Sequence, residues 1–159
     1  METPSLTRLM FVCLGNICRS PAAQAVMEKL VQSRAVANRF QIDSSGTAGY
    51  HIGALPDGRM IAASAKRGIP MTSRAKQLSA EHLSDRDLII AMDRENLANI
   101  QRLAKGKTPH VRLLSDFLDS TWPRDVPDPY YGDEDGFEYV LDMLEVACPA
   151  ILDASYSDL

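Results

Sequence analysis

Along the chain, short unbroken apolar runs alternate with stretches in which apolar residues recur every three or four positions. Leu9-Met10-Phe11-Val12 is the first run, of a length that suits a buried strand. In "PAAQAVMEKLVQS", Pro21 to Ser33, Ala22, Val26 and Leu30 share one helical face. Pro21 suits the first position of that helix, where no N–H is needed and φ is already set. "FQIDSS", Phe40 to Ser45, reads as a second short strand. Asp57 can cap a helix running through "GRMIAASAKR" to a stop at Gly68. "LIIAM", Leu88 to Met92, has the unbroken apolar character of a parallel strand buried on both faces. Asp93 then stands at an N-cap position before "RENLANIQRLA". "VRLL", Val111 to Leu114, supplies a fourth strand, and Phe137 to Leu152 a long closing helix.

Strand alternating with helix predicts an α/β fold, a four-stranded parallel sheet with helices on both faces. No repeat, low-complexity tract or linker interrupts the pattern, so residues 1–159 read as a single domain. In such sheets ligands bind beyond the carboxyl ends of the strands, often at a helix N-terminus. The loop from Cys13 to Arg19, between the first strand and the first helix, lies at such a point.

Composition narrows the partners. The chain of 159 residues is 45% hydrophobic and 24% charged, an ordinary globular balance. A net charge of −4 gives no electrostatic reason to expect nucleic acid or an anionic membrane. No apolar run approaches the roughly 20 residues that span a bilayer. The opening "METPSLTRLMFVCLGN" lacks the basic and apolar regions of a secretory signal. Three cysteines in a chain large enough to need no staples fit a reducing compartment, and a cytoplasmic location is expected.

The chemistry concentrates in "FVCLGNICRSPAA", Phe11 to Ala23. Successive N–H groups feeding a helix N-terminus make an anion site, and Arg19 adds a fork able to bond two phosphate oxygens. The same positive field favours a Cys13 thiolate, and Ser20 can donate a hydrogen bond to its sulfur. Gly15 and Asn16 tolerate the positive φ that an inward-curling loop requires. Cys-x5-Arg followed by Ser is thus a cradle for an oxyanion with a nucleophile at its floor.

"VCLGNICRSPAA" closely resembles the active-site loop of the low-molecular-weight protein tyrosine phosphatases. "DSSGTAGYHIG", "RGIPM", "AMDRENL" and "DPYYGDEDGFEYVLDML" resemble later family segments in the same order. The resemblance implies hydrolysis of phosphotyrosine through a cysteinyl-phosphate, with no metal or other cofactor. Cys13 is then the nucleophile, Arg19 the phosphate clamp and Asp128 the general acid and later the base. Pro127 and Pro129 hold Asp128 stiffly in an extended surface loop, and a carboxylic acid can assist departure of a phenol. Leu14, Gly15, Asn16, Ile17, Cys18 and Ser20 bind the phosphate by the same resemblance. Tyr50, Tyr130 and Tyr131 form aromatic walls, although ordinary packing suits Tyr131 as well. The tyrosine pair is also a family site of regulatory phosphorylation. Ser44 would join Asn16 in holding the loop, and Asp93 would bond to the loop or to Ser20 if it does more than cap its helix.

Cys18 is either a small residue packed behind the loop or a redox partner that captures oxidised Cys13 as a disulfide. Cys148, among Val146, Ala147 and Ile151, reads as core. His51, His82 and His110 are scattered, so no metal set is expected. The implied partners are phosphotyrosine proteins, a bacterial tyrosine kinase among them, since "GDEDGFEYV" is closer to bacterial members. Inorganic phosphate is the implied product and inhibitor. Arsenate reduction on this fold needs relay cysteines, and "LIIAMDRENLANI" has none. Phosphoarginine hydrolysis goes with threonine where this chain has Ile17, and a pure phosphate-binding module would not need the complete catalytic set.

Overall fold

A computed structural model describes residues 6–105, 110–132 and 134–157, apart from the side chains of Tyr131, Glu134, Tyr156 and Ser157. Strand β1 (Thr7–Cys13) pairs in parallel with β2 (Phe40–Gly46) and with β3 (Leu88–Ala91), and β3 pairs with β4 (Val111–Leu113). The order β2-β1-β3-β4 puts the first strand inside the sheet. Cys13 lies opposite Gly46, and Val12 opposite Ala91, so three carboxyl ends meet at one edge.

The unbroken apolar run of β1 is explained by burial on both faces. Leu9, Phe11 and Cys13 join the larger core with Met27 of α1 (Arg19–Ser33), Met60 of α2 (Gly58–Lys66), and Phe137 and Leu141 of α5 (Glu134–Ser157). Met10 and Val12 pack on the opposite face with Leu83 of α3 (Ala80–Asp85) and Ile100 of α4 (Arg94–Leu103). Helices therefore cover both faces, as the alternation predicts. Among the described residues, no helix is long and apolar enough to cross a membrane.

Several boundaries differ from the sequence reading. Helix α1 begins at Arg19, which places Pro21 third rather than first. Proline still fits, because the first four helical N–H groups have no partner within the helix. The closing helix extends beyond Phe137 and Leu152 to Glu134 and Ser157, carrying Pro149 inside it. Strand β4 stops at Leu113, and Leu114 begins a 3-10 turn. Helix α3 is not foreseen by the apolar pattern. It starts at a reciprocal cap in which His82 N–H donates to Ser79 Oγ and Ser79 N–H donates to His82 Nδ1.

Candidate active site

Beyond Cys13 the backbone leaves the sheet and curls, with Asn16 at φ 58°. Its carbonyls are tied outward: Thr47 N–H donates to Cys13 O at 2.9 Å, Ala48 N–H to Leu14 O at 3.0 Å and Asp57 N–H to Ile17 O at 2.8 Å. Among the described hydrogen bonds, none is donated by the N–H groups of Gly15 to Cys18, so those donors remain for a ligand. The loop passes so close to β2 that only glycine fits at position 46. A Cβ there would lie 2.6 Å from Leu14 O and 3.1 Å from Asn16 N.

Buried Asn16 organises the interior of the loop. Its Nδ2 donates to Ser20 Oγ at 2.8 Å and to Ser44 Oγ at 2.9 Å, and its Oδ1 accepts from Lys76 N–H at 3.0 Å. Ser44 Oγ passes its own proton to Gln24 Oε1 at 2.6 Å. Since Asn16 donates to Ser20, the Ser20 proton is left for Cys13 Sγ at 2.9 Å or Ser45 O at 3.3 Å. The sulfur thereby has a hydroxyl within hydrogen-bond distance.

Arg19 is fixed rather than free. Its Nη1 donates to Asp93 Oδ2 at 2.5 Å and to Val126 O at 3.0 Å. Burial opposes its charge, but Cys13, Asp93 and Asp128 outweigh that cost and raise its pKa above the ordinary value. Asp93 does two jobs, capping α4 through Asn96 N–H at 2.7 Å and holding the guanidinium. Its loop partner is Arg19; the alternative contact with Ser20 is not made. Asp128 Oδ2 stands 3.6 Å from Arg19 Nη2. Extended backbone ends at Asp128 (φ −82°, ψ 112°), whose Oδ1 accepts from Tyr130 N–H at 3.0 Å and starts the 3-10 turn Pro129–Tyr131. The proline pair therefore frames a turn start, not a continuous extended loop.

Cys13, Arg19 and Asp128 line one cleft of about 280 Å³. A model of the low molecular weight phosphotyrosine protein phosphatases matches residues 8–158 of the chain. The chain belongs to this family. The human low molecular weight phosphotyrosine protein phosphatase is 37% identical over 159 residues, covering 98% of this chain and 100% of its own. A Synechocystis protein placed in the same class is 44% identical over 149 residues, covering 91% and 94%. The crystal structure of YfkJ from Bacillus subtilis superposes with a TM-score of 0.92 at 35% identity, over 99% of each chain.

Against this phosphatase fold the remaining expected residues fall as follows. Leu14, Gly15, Ile17 and Cys18 line the cleft beneath Tyr50 and Tyr130. Tyr50 stands 75% exposed at the rim. The Tyr131 side chain, expected as a wall, lies outside the described residues. Cys13 and Cys18 are both free and buried. Burial, then the nearby carboxylates of Asp57 and Asp128, pushes the Cys18 pKa far up, which holds it as a thiol. Burial does the same to Cys148 inside the α5 core. Among the described residues, no group of three or more His, Cys, Asp or Glu is arranged to hold a metal.

One residue of the cleft and one beside it escaped the sequence reading. His51 lies in the wall with its ring centroid 6.4 Å from those of both Tyr50 and Tyr130. Its Cδ2 would sit 3.0 Å from a Cβ on residue 15, so close approach is what asks for glycine there; the positive φ expected at Gly15 is taken by Asn16 alone. Arg59 is the other. Held by Asp57 Oδ1 and Oδ2 at 3.1 and 2.9 Å, it donates to Tyr130 O at 2.9 Å and stacks 4.8 Å from the Phe137 ring. Since Asp57 N–H also binds Ile17 O, the pair links the phosphate loop to the Asp128 loop. Only the Asp57 cap was visible as a local signal.

Proposed function

We propose that the chain hydrolyses phosphotyrosine in proteins through a phosphorylated Cys13, without metal. The observation that carries this is the convergence of Cys13, Arg19 and Asp128 on one aromatic-walled cleft. In the first step Cys13 Sγ attacks phosphorus in line, and the bond to the phenolic oxygen breaks. Arg19, oriented by Asp93 Oδ2 and Val126 O, meets the equatorial oxygens together with the free loop N–H groups. Asp128 gives its proton to the departing tyrosine oxygen and then takes one from water as that water cleaves the thiophosphate. Ser20 stabilises the thiolate each time it is released. Ile17, Tyr50 and Tyr130 suit a flat aryl group, which favours phosphotyrosine over phosphoarginine.

Substrates are then phosphotyrosine proteins in the cytoplasm, a bacterial tyrosine kinase among them, with inorganic phosphate as product and competing inhibitor. Cys18, beside the nucleophile, is the thiol available to oxidised Cys13. Equal recovery of wild type and Cys18→Ser by thiol after peroxide would sink that role. The primary test is phosphate release from a phosphotyrosine peptide in EDTA by wild type, Cys13→Ser and Asp128→Asn. Expected are full activity in wild type, none in Cys13→Ser, and a kcat loss of about 10²- to 10⁴-fold with little change in binding for Asp128→Asn. Unaltered kcat in either variant refutes the corresponding role.

A further inference from the structure

Beside the catalytic cleft lies a second, larger concavity of about 420 Å³, and Leu14 and Tyr50 line both. Its floor is stiff, because Gln77 bridges to Gly46 in parallel and Leu78 N–H donates to Gly46 O at 2.7 Å. The bonds from Thr47 and Ala48 to the carbonyls of Cys13 and Leu14 join that floor to the phosphate loop. The far wall is the outer face of α4, where Glu95, Asn99 and Arg102 follow one another at helical spacing.

The two charges on this wall suit the dipole of α4 but, among the described residues, meet no opposite side chain. Glu95 and Arg102 are both exposed, and neither has an ion-pair partner among the described residues. Arg102 spends one N–H on Asn99 Oδ1 at 2.7 Å. Other charges on the surface do find partners: Arg67 reaches Glu138, Asp142 and Glu145, and Asp43 holds Lys76 and Arg86. Asp93 at the start of α4 touches Arg19, so Glu95 is at the catalytic end and Arg102 two turns beyond. Seven residues of helix advance about 10.5 Å, which a polyproline II chain, with three residues per turn and about 3.1 Å per residue, covers in roughly three residues while keeping both side chains on one side.

We propose that this groove holds the substrate polypeptide to one side of the phosphotyrosine, laid across Tyr50 in polyproline II form. Glu95 receives a basic side chain, and Arg102 receives an acidic one three residues farther from the phosphotyrosine. The inference rests on the phosphatase reading and assigns α4 a part in choosing among its substrates.

The test uses phosphotyrosine peptides of identical composition carrying Lys-x-x-Glu or Glu-x-x-Lys, counted outward from the phosphotyrosine and walked along each flank. Equal net charge cancels the field of the protein as a whole. The readout is peptide kcat/KM divided by that for para-nitrophenyl phosphate, which is too small to reach α4. Expected at low salt is a preference of about two- to tenfold for Lys-x-x-Glu at one placement, shrinking as salt rises and lost in Glu95→Gln/Arg102→Gln. Equal rates at every placement, or a preference that survives the double substitution, overturns the proposal. Wild type that turns over para-nitrophenyl phosphate but not selectively loses the groove alone. Wild type inactive on both loses the phosphatase reading and the groove with it.

Discussion

Substituting Asn16 tests whether the phosphate loop is held by one side chain. Asn16→Ala removes three hydrogen bonds, of 2.8, 2.9 and 3.0 Å. The two serine hydroxyls keep other partners, so each loss is about 0.5–1.5 kcal/mol. Lys76 N–H keeps none, at about 1–3 kcal/mol, toward the lower end because the site is only part-buried. A φ of 58° charges alanine about 1–2 kcal/mol more. The expected destabilisation is roughly 3–6 kcal/mol, a large share of the 5–15 kcal/mol typical of a domain. Asn16→Gly loses the same bonds and escapes the strain. Its freer unfolded chain takes back about 0.4–1 kcal/mol, so it should be more stable than Asn16→Ala by roughly 0.5–1 kcal/mol. Urea unfolding followed by circular dichroism measures both, in phosphate-free buffer so that no bound anion adds stability by mass action. An alanine variant within about 1 kcal/mol of wild type, or a glycine variant below it, would refute the reasoning.

Gly46→Ala should cut kcat/KM about tenfold or more while the chain stays folded. The added Cβ meets backbone of Leu14, Gly15 and Asn16, and sub-ångström displacement of those donors is enough; steady-state kinetics with unchanged constants would contradict it. Asp43 should contribute stability that depends on acid. Burial raises its pKa, but hydrogen bonds from Arg86 and Lys76 outweigh this and hold it below the ordinary carboxylate value. With the folded pKa depressed, that stability is complete above the unfolded value of about 3.9 and is lost as pH falls through the folded one. The urea-midpoint gap between wild type and Asp43→Asn should therefore be constant near neutrality and narrow below about pH 4.

The sheet was legible because its central strands are buried on both faces and so carry unbroken apolar runs, as in Leu88–Ala91. Asp57 and Asp93 were legible because capping is a local chemistry. Cys13 and Arg19 stood out by their spacing before a helix start and Asp128 through the family resemblance and its flanking prolines, and the cleft unites them. Helix α3 was hidden, since six residues with Leu83 alone buried carry no period to detect. The start of α1 was misplaced at Pro21 because Arg19 enters the helix with its side chain engaged by Asp93, 74 positions away, and Ser20 with its hydroxyl engaged by the loop. His51 and the Arg59 contact with Tyr130 O had no local mark. The latter spans 71 positions, and nothing in either segment announces the other.

The bond from Arg19 to Val126 O also governs when this protein can first act. The two residues are 107 apart, and a ribosome takes roughly 5–20 s to cover that distance. Until then the nascent chain carries Cys13 and Arg19 without the carbonyl that orients the guanidinium or the Asp128 that follows two residues later. Helix α5, made last, must then settle on α1, made first. Catalytic competence is thus a late event in biosynthesis, and an interrupted chain that contains the entire Cys13–Arg19 segment is a silent one.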